Sequence, residues 1–207
     1  MVVLHYTAMV SVTAAAERLC HPAYEVSAHY LIGPDGAILR LVPEVLRAWH
    51  AGAGQWGNVT DVNSRSIGIE LANTGGTPFA AAQMTALEML LADILARRDI
   101  LPERVIAHSD MAPSRKGDPG PRFDWRRLAL QGLSIWPDAV TAAAPDLPLD
   151  LALTTIGYAP GLDPSLALTA FRLRFRPWAQ GPAGPGDLAA ARNLAHRFPV
   201  DQGVRQA

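Results

Sequence analysis

Met84, Leu87, Leu91, Ile94 and Leu95 recur at helical spacing, and short β-branched runs lie on either side of them along the chain. That combination constrains the fold more than any other feature. The helix is expected to start at Thr77 as cap with Pro78 in its first turn, and to end at Arg97 and Arg98, where cations meet the negative pole of the helix. The runs VVLHY, SIGIELAN and RVIAHS are too short for helices of this kind and read as strands. VSAHYLIGPDGAILRLV reads as a hairpin around Gly-Pro-Asp-Gly, and SVTAAAERLC as a short helix. Strands alternating with helices predict an α/β fold, a mixed central sheet flanked by helices. A short helix, DWRRLALQG, closes this part, stopped by Gly132.

Near residue 141 the composition shifts to the Ala/Pro-rich connector TAAAPDLPLD. Three helical patterns follow, at about 148–156, 163–175 and 187–197, with Asp163-Pro164 and Asp187 as starts of the second and third. The expected organisation is thus a domain over 1–140 and a small three-helix module over 141–207.

The stretch HSDMAPSRKGDPGPRFDW, residues 108–125, crowds ionisable groups among prolines and glycines. His5 and His108 both stand just past the apolar part of a predicted strand, where loops build sites. With Asp118 they make two imidazoles and a carboxylate, three good zinc ligands that leave a fourth position for water. Spacing alone does not bring them together. Taken singly, His5 reads equally well as a satisfied strand histidine, Asp118 in GDPG as turn chemistry, and Lys116 as a solvated side chain. Glu70 differs, because a carboxylate in the apolar run SIGIEL is costly to bury unless paired or used.

A net charge of -1 without a basic run excludes a phosphate-binding surface, so no nucleic acid partner is expected. No apolar run reaches the ~20 residues of a membrane span. Cys20 is the only cysteine, which rules out an intrachain disulfide and a cysteine-built zinc site.

Five segments in order, VVLHYTA, VSAHYLI with PDG, AWHAG, SIGIELAN and HSDMAPSRKGDPGPRFDW, carry a resemblance over about residues 1–130. The chain resembles the zinc-dependent N-acetylmuramoyl-L-alanine amidases of the type 2 class, whose fold is shared with phage amidase lysozymes and animal peptidoglycan recognition proteins. The resemblance implies a Zn2+ cofactor held by His5, His108 and Asp118, with Glu70 as the catalytic glutamate and Lys116 beside the metal. It implies cleavage of the amide between N-acetylmuramic acid and L-alanine in peptidoglycan or muropeptides. His50 and Trp49 match a cleft-lining segment, Asn73 and Arg115 are expected to contact substrate, and His29 matches a structural strand position. His21 and His196 match nothing and are expected at the surface. The rival on the same fold is a non-catalytic peptidoglycan-binding recognition protein, against which the complete ligand set argues. A second rival is a zinc amide hydrolase acting on another peptide.

The segment LTAFRLRFRP and the helix after it resemble, more faintly, a three-helix peptidoglycan-binding domain, with Arg172 where glutamine is common. The module is expected either to bind glycan or to cap the main fold. A monomer is expected. The absence of an export signal points to the cytoplasm. A strand beginning at the first residue, together with a wall-binding module, points to a clipped start and the cell envelope, which is the expectation preferred.

Overall fold

A computed structural model describes residues 1–138 and 146–201. The expected boundary at 140/141 lies outside the described residues.

Five strands form one sheet in the order β3-β2-β4-β1-β5. They are β1 (Val2–Tyr6), β2 (Tyr30–Ile32), β3 (Ile38–Arg40), β4 (Ile67–Leu71) and β5 (Val105–Ala107). β1 lies between β4 and β5 and is parallel to both, β2 runs parallel to β4, and only the β2–β3 hairpin pairs antiparallel. The expected mixed sheet is therefore present. The hairpin is shorter than its apolar runs, and its turn uses Gly36 at φ 87.

Alternation along β1 sends Val2 and Leu4 to one face and Val3 and His5 to the other. Val2 and Leu4 join a cluster with Ile69, Leu71 and the buried side of α2 (Ala81–Arg98), namely Met84, Leu87, Leu91 and Ile94. Parallel strands are ordinarily covered on both faces. Here the second cover is built from the C-terminal helices. α5 (Leu149–Ile156), α6 (Pro164–Phe175) and α7 (Pro185–Arg197) place Leu153, Ile156, Phe171, Phe175 and Leu194 in one cluster with Val3, Trp56, Ile106 and Met111. The remaining helices are α1 (Val12–Cys20), capped by Ser11, the single turn α3 (His108–Met111) and α4 (Trp125–Leu130), capped by Asp124.

Three expected termini move. α2 starts at Ala81 behind Ala80, which gives no side-chain cap, because Thr77 turns back onto Asn73 Oδ1 at 3.4 Å. Its last turn is held by more than the helix dipole, since Arg97 and Arg98 both pair with Glu44. α7 starts at Pro185, with Asp187 in its first turn accepting the Gly184 N–H at 2.9 Å. The strand expected through His108 stops at Ala107. There the Asp110 carboxylate takes the Ala107 N–H at 2.8 Å and turns the chain into α3. Asp163-Pro164 begins α6 as expected, with Asp163 accepting from Ser165 and Leu166.

Candidate active site

His5 is the next-to-last residue of β1, and its register partner across the parallel pair is Glu70 of β4. Register partners in a sheet project from the same face, so imidazole and carboxylate stand side by side. His108 opens α3, next to β1 on the other side. The loop after α3 returns Asp118 to this point. Gly120 makes its turn at φ 80, and the Ser109 N–H donates to the Asp118 carbonyl at 3.0 Å, which closes the loop.

His5 Nδ1, His108 Nδ1 and Asp118 Oδ2 form a near-equilateral triangle with edges of 2.9, 3.1 and 3.0 Å. All three residues are buried. Their tautomers follow from what lies behind them. His108 Nε2 donates to the Ala51 carbonyl at 2.8 Å, which leaves its Nδ1 as a bare lone pair. Ser66 Oγ donates to the Val62 carbonyl and faces His50 Nε2 at 3.3 Å as an acceptor, so His50 carries its proton on Nε2. His50 Nδ1 then accepts from His5 Nε2 at 3.0 Å, and His5 Nδ1 is also bare. Three lone pairs about 3 Å apart, with no proton among them, repel unless a cation sits between them. A pair of imidazoles and a carboxylate is a donor set that suits zinc, and each imidazole has an outer partner fixing its orientation. The residues fit the metal that the resemblance implies.

Burial, reinforced by the neighbouring His108, lowers the His5 pKa to about 4, so the ring stays neutral and available as a ligand at ordinary pH. Burial drives His50 well below its usual value, with His5 adding to the effect. Burial together with the Asp118 charge raises Glu70 to about 8. Glu70 Oε2 is buried without a hydrogen-bond partner.

A cavity of about 390 Å³ opens over the triangle, lined by His5, Glu70, His108, Asp118, Lys116, Arg115 and Trp49 among others. A larger one, about 520 Å³, lies between α4 and the C-terminal helices and carries none of these groups. The triangle, Glu70, Lys116 and the half-exposed Trp49 are thus brought together as the sequence predicts. His50 also borders the cavity, but both ring nitrogens are engaged behind His5. Arg115 lines the cavity while its guanidinium holds the carbonyls of Ala51 and Ala53. Asn73 does not line it. Its amide is consumed in the turn that follows, by Gly75 N–H and the carbonyls of Thr77 and Pro78. His29 is buried between the Gly68 N–H and the Leu46 carbonyl, in keeping with a structural role.

Sequence reasoning missed two contributors. Arg18 of α1 lines the cavity and lies 4.6 Å from the centre of the Tyr24 ring. In the sequence it is one more cation at a helix end. Gly68 matters because a Cβ there would come within 2.3 Å of the His50 ring. The glycine in SIGIEL was the available signal, since glycine inside a strand often marks a close approach.

Comparison with known proteins agrees with this geometry. Residues 1–121 match the Amidase_2 family, N-acetylmuramoyl-L-alanine amidase. The N-acetylmuramoyl-L-alanine amidase AmiD of Escherichia coli K12 is 40% identical over 86% of this chain and 76% of its own length. The 1,6-anhydro-N-acetylmuramyl-L-alanine amidase AmpD of Enterobacter cloacae is 42% identical over 56% of this chain and 65% of its own. The structure of AmiD with anhydro-N-acetylmuramic acid-L-Ala-D-gamma-Glu-L-Lys superposes with a TM-score of 0.87 at 37% identity, over 97% of this chain and 90% of that one. AmpDh3 of Pseudomonas aeruginosa, in complex with an anhydromuramic pentapeptide, gives 0.84 at 32% identity over 96% and 92%. The family match spans more than half of the chain, and relatives and solved structures agree with it on fold and activity. The chain therefore belongs to the N-acetylmuramoyl-L-alanine amidase family and is an amidase of that type.

Proposed function

We propose that this amidase is zinc-dependent, with His5, His108 and Asp118 as ligands, and that it cleaves the lactyl amide between N-acetylmuramic acid and L-alanine of muropeptides. The observation that carries this is the triangle of proton-free donors. Bound there, zinc supplies Lewis acidity and brings the pKa of water from 15.7 to about 7. Glu70 is the proposed general base. Its free Oε2 accepts the proton of the attacking water and passes it to the leaving amine. Lys116 lines the same cavity, and its ammonium is proposed to stabilise the oxyanion as the carbonyl is attacked, worth about 3–4 kcal/mol for a well-placed donor. Trp49 offers an exposed apolar face for the sugar or stem peptide.

Anhydro-muropeptides are the proposed small substrates, in line with the ligands named for the AmiD and AmpDh3 structures. A monomer is proposed, since one chain supplies every ligand atom. Mass spectrometry of the products of defined anhydro-muropeptides tests the reading. Release of an intact peptide with a free L-alanine amine supports it, and cleavage at any other bond refutes it.

A further inference from the structure

Asp110 stands two residues after His108 and takes no part in the ligand triangle. Its carboxylate is fully buried, and its partners belong to other parts of the fold. Oδ2 accepts the Ala107 N–H at 2.8 Å and Arg174 Nη1 at 2.7 Å. Oδ1 accepts the Tyr158 hydroxyl at 2.7 Å. Arg174 belongs to α6, and Tyr158 follows α5. Arg174 is as deeply buried as Asp110. Its Nη2 donates to the Val105 carbonyl of β5 at 2.8 Å and to Ser134 Oγ at 3.2 Å, and its guanidinium lies 4.4 Å from the centre of the Trp125 ring.

One guanidinium and one phenol from the C-terminal helices thus hold β5, the β5–α3 junction and α3. That segment carries His108, and its Ser109 N–H anchors Asp118. α3 is a single turn of four residues, too short to keep its shape unaided. A buried ion pair is seldom the cheapest way to fill a core, so a demand on position is the better account of one placed here.

We propose that Arg174 and Tyr158 are positioning residues for the metal site, acting through Asp110. They fix α3, and with it two of the three ligand atoms. The C-terminal helices are then a buttress of the reaction centre. The inference rests on the reading of His5, His108 and Asp118 as metal ligands.

The test uses the full chain. Zinc dissociation is measured by competition with a chromogenic chelator, the melting temperature on the metal-free protein, and kcat and KM on an anhydro-muropeptide. Wild type and His108→Ala come first. If wild type binds no zinc, or His108→Ala binds it equally well, the metal reading fails and the buttress with it. If wild type alone binds, the variants decide the buttress separately. Tyr158→Phe keeps the ring and removes one hydroxyl. It is expected to weaken zinc binding about tenfold, the lower range for outer-shell partners of metal ligands, and to reduce kcat with KM little changed. Arg174→Met is expected to do more, and Arg174→Lys, which keeps the charge opposite Asp110, to recover part of the loss. Phe171→Leu on the same helix is the control, expected to lower the melting temperature alone. If Tyr158→Phe and Arg174→Met behave like Phe171→Leu, with zinc affinity and kcat at wild-type levels, the proposal is overturned. If Arg174→Met does not fold, Tyr158→Phe decides.

Discussion

His5 and Glu70 are register partners on the adjacent parallel strands β1 and β4. The pairing puts a bare imidazole nitrogen and an unpartnered carboxylate oxygen on one face of the sheet, under one cavity. Backbone hydrogen bonds on both sides of each strand set their spacing, so little side-chain ordering remains to be done when substrate arrives. Only His5 of the two belongs to the donor triangle.

Separate roles for ligand and base give the first expected outcome. Glu70→Gln preserves shape and removes the base. The variant should retain its metal and lose on the order of 10² to 10⁴ in kcat, the usual share of acid–base catalysis. Metal content and kcat measured on one preparation check this, and loss of the metal would show that Glu70 is a ligand.

Metal content itself is the second. Purified protein should hold about one zinc per chain, lose activity to a chelator and regain it with zinc, as a three-ligand site with an open position does. Asp118→Ala should fail to hold the metal under the same dialysis. Elemental analysis before and after chelation is the measurement.

The His5–His50–Ser66 chain gives the third. His50→Ala should weaken zinc binding about 10–100-fold, because nothing then fixes the proton on His5 Nε2. Gly68→Ala should act in the same direction without touching any hydrogen-bonding group, since the added Cβ displaces the His50 ring. Unchanged affinity in both would remove His50 from the metal site.

The fourth concerns pH. His5 is neutral in the folded, metal-free protein down to about pH 4, but takes a proton near 6.5 once unfolded. Between these values the unfolded state binds more protons, so stability falls as pH drops from 6.5 towards 4 and levels off below. His5 alone accounts for a loss on the order of 3 kcal/mol, and His50 and His29, also lowered, act in the same direction. Glu70, raised to about 8, acts in the opposite direction, so the decline is read from melting curves of metal-free Glu70→Gln protein across this window. A flat profile would mean that these rings are not buried neutral.

The fifth follows from the shared core. Phe171, Phe175, Leu153, Ile156 and Leu194 cover the face of the sheet that carries Val3 and Ile106. Each buried side chain of this size contributes about 1.5–3 kcal/mol, against a total stability of about 5–15 kcal/mol for a typical domain. A chain ending at residue 138 should therefore not fold cooperatively, and should expose Trp56 and Met111. A soluble truncated protein with a sharp thermal transition and activity on muropeptides would contradict this.

Local chemistry was enough to place most elements. Helical spacing located α2, β-branched runs located β1, β4 and β5, and Asp163-Pro164 located the start of α6, because each depends on neighbours a few positions away. The order of motifs from VVLHYTA to HSDMAPSRKGDPGPRFDW pointed to the family and to His5, Glu70, His108, Lys116 and Asp118. What it left open were contacts between distant positions. The bond from His5 to His50 joins residues 45 apart, and that from Asp110 to Arg174 residues 64 apart. No local period encodes either. For the same reason Asn73 looked like a substrate contact although its turn uses every polar atom of its amide, and whether the C-terminal helices bind glycan or cap the main fold stayed open. Their apolar stripes are visible in the sequence, but which surface they cover is decided only when Val3 and Ile106 present the second face of the sheet to them.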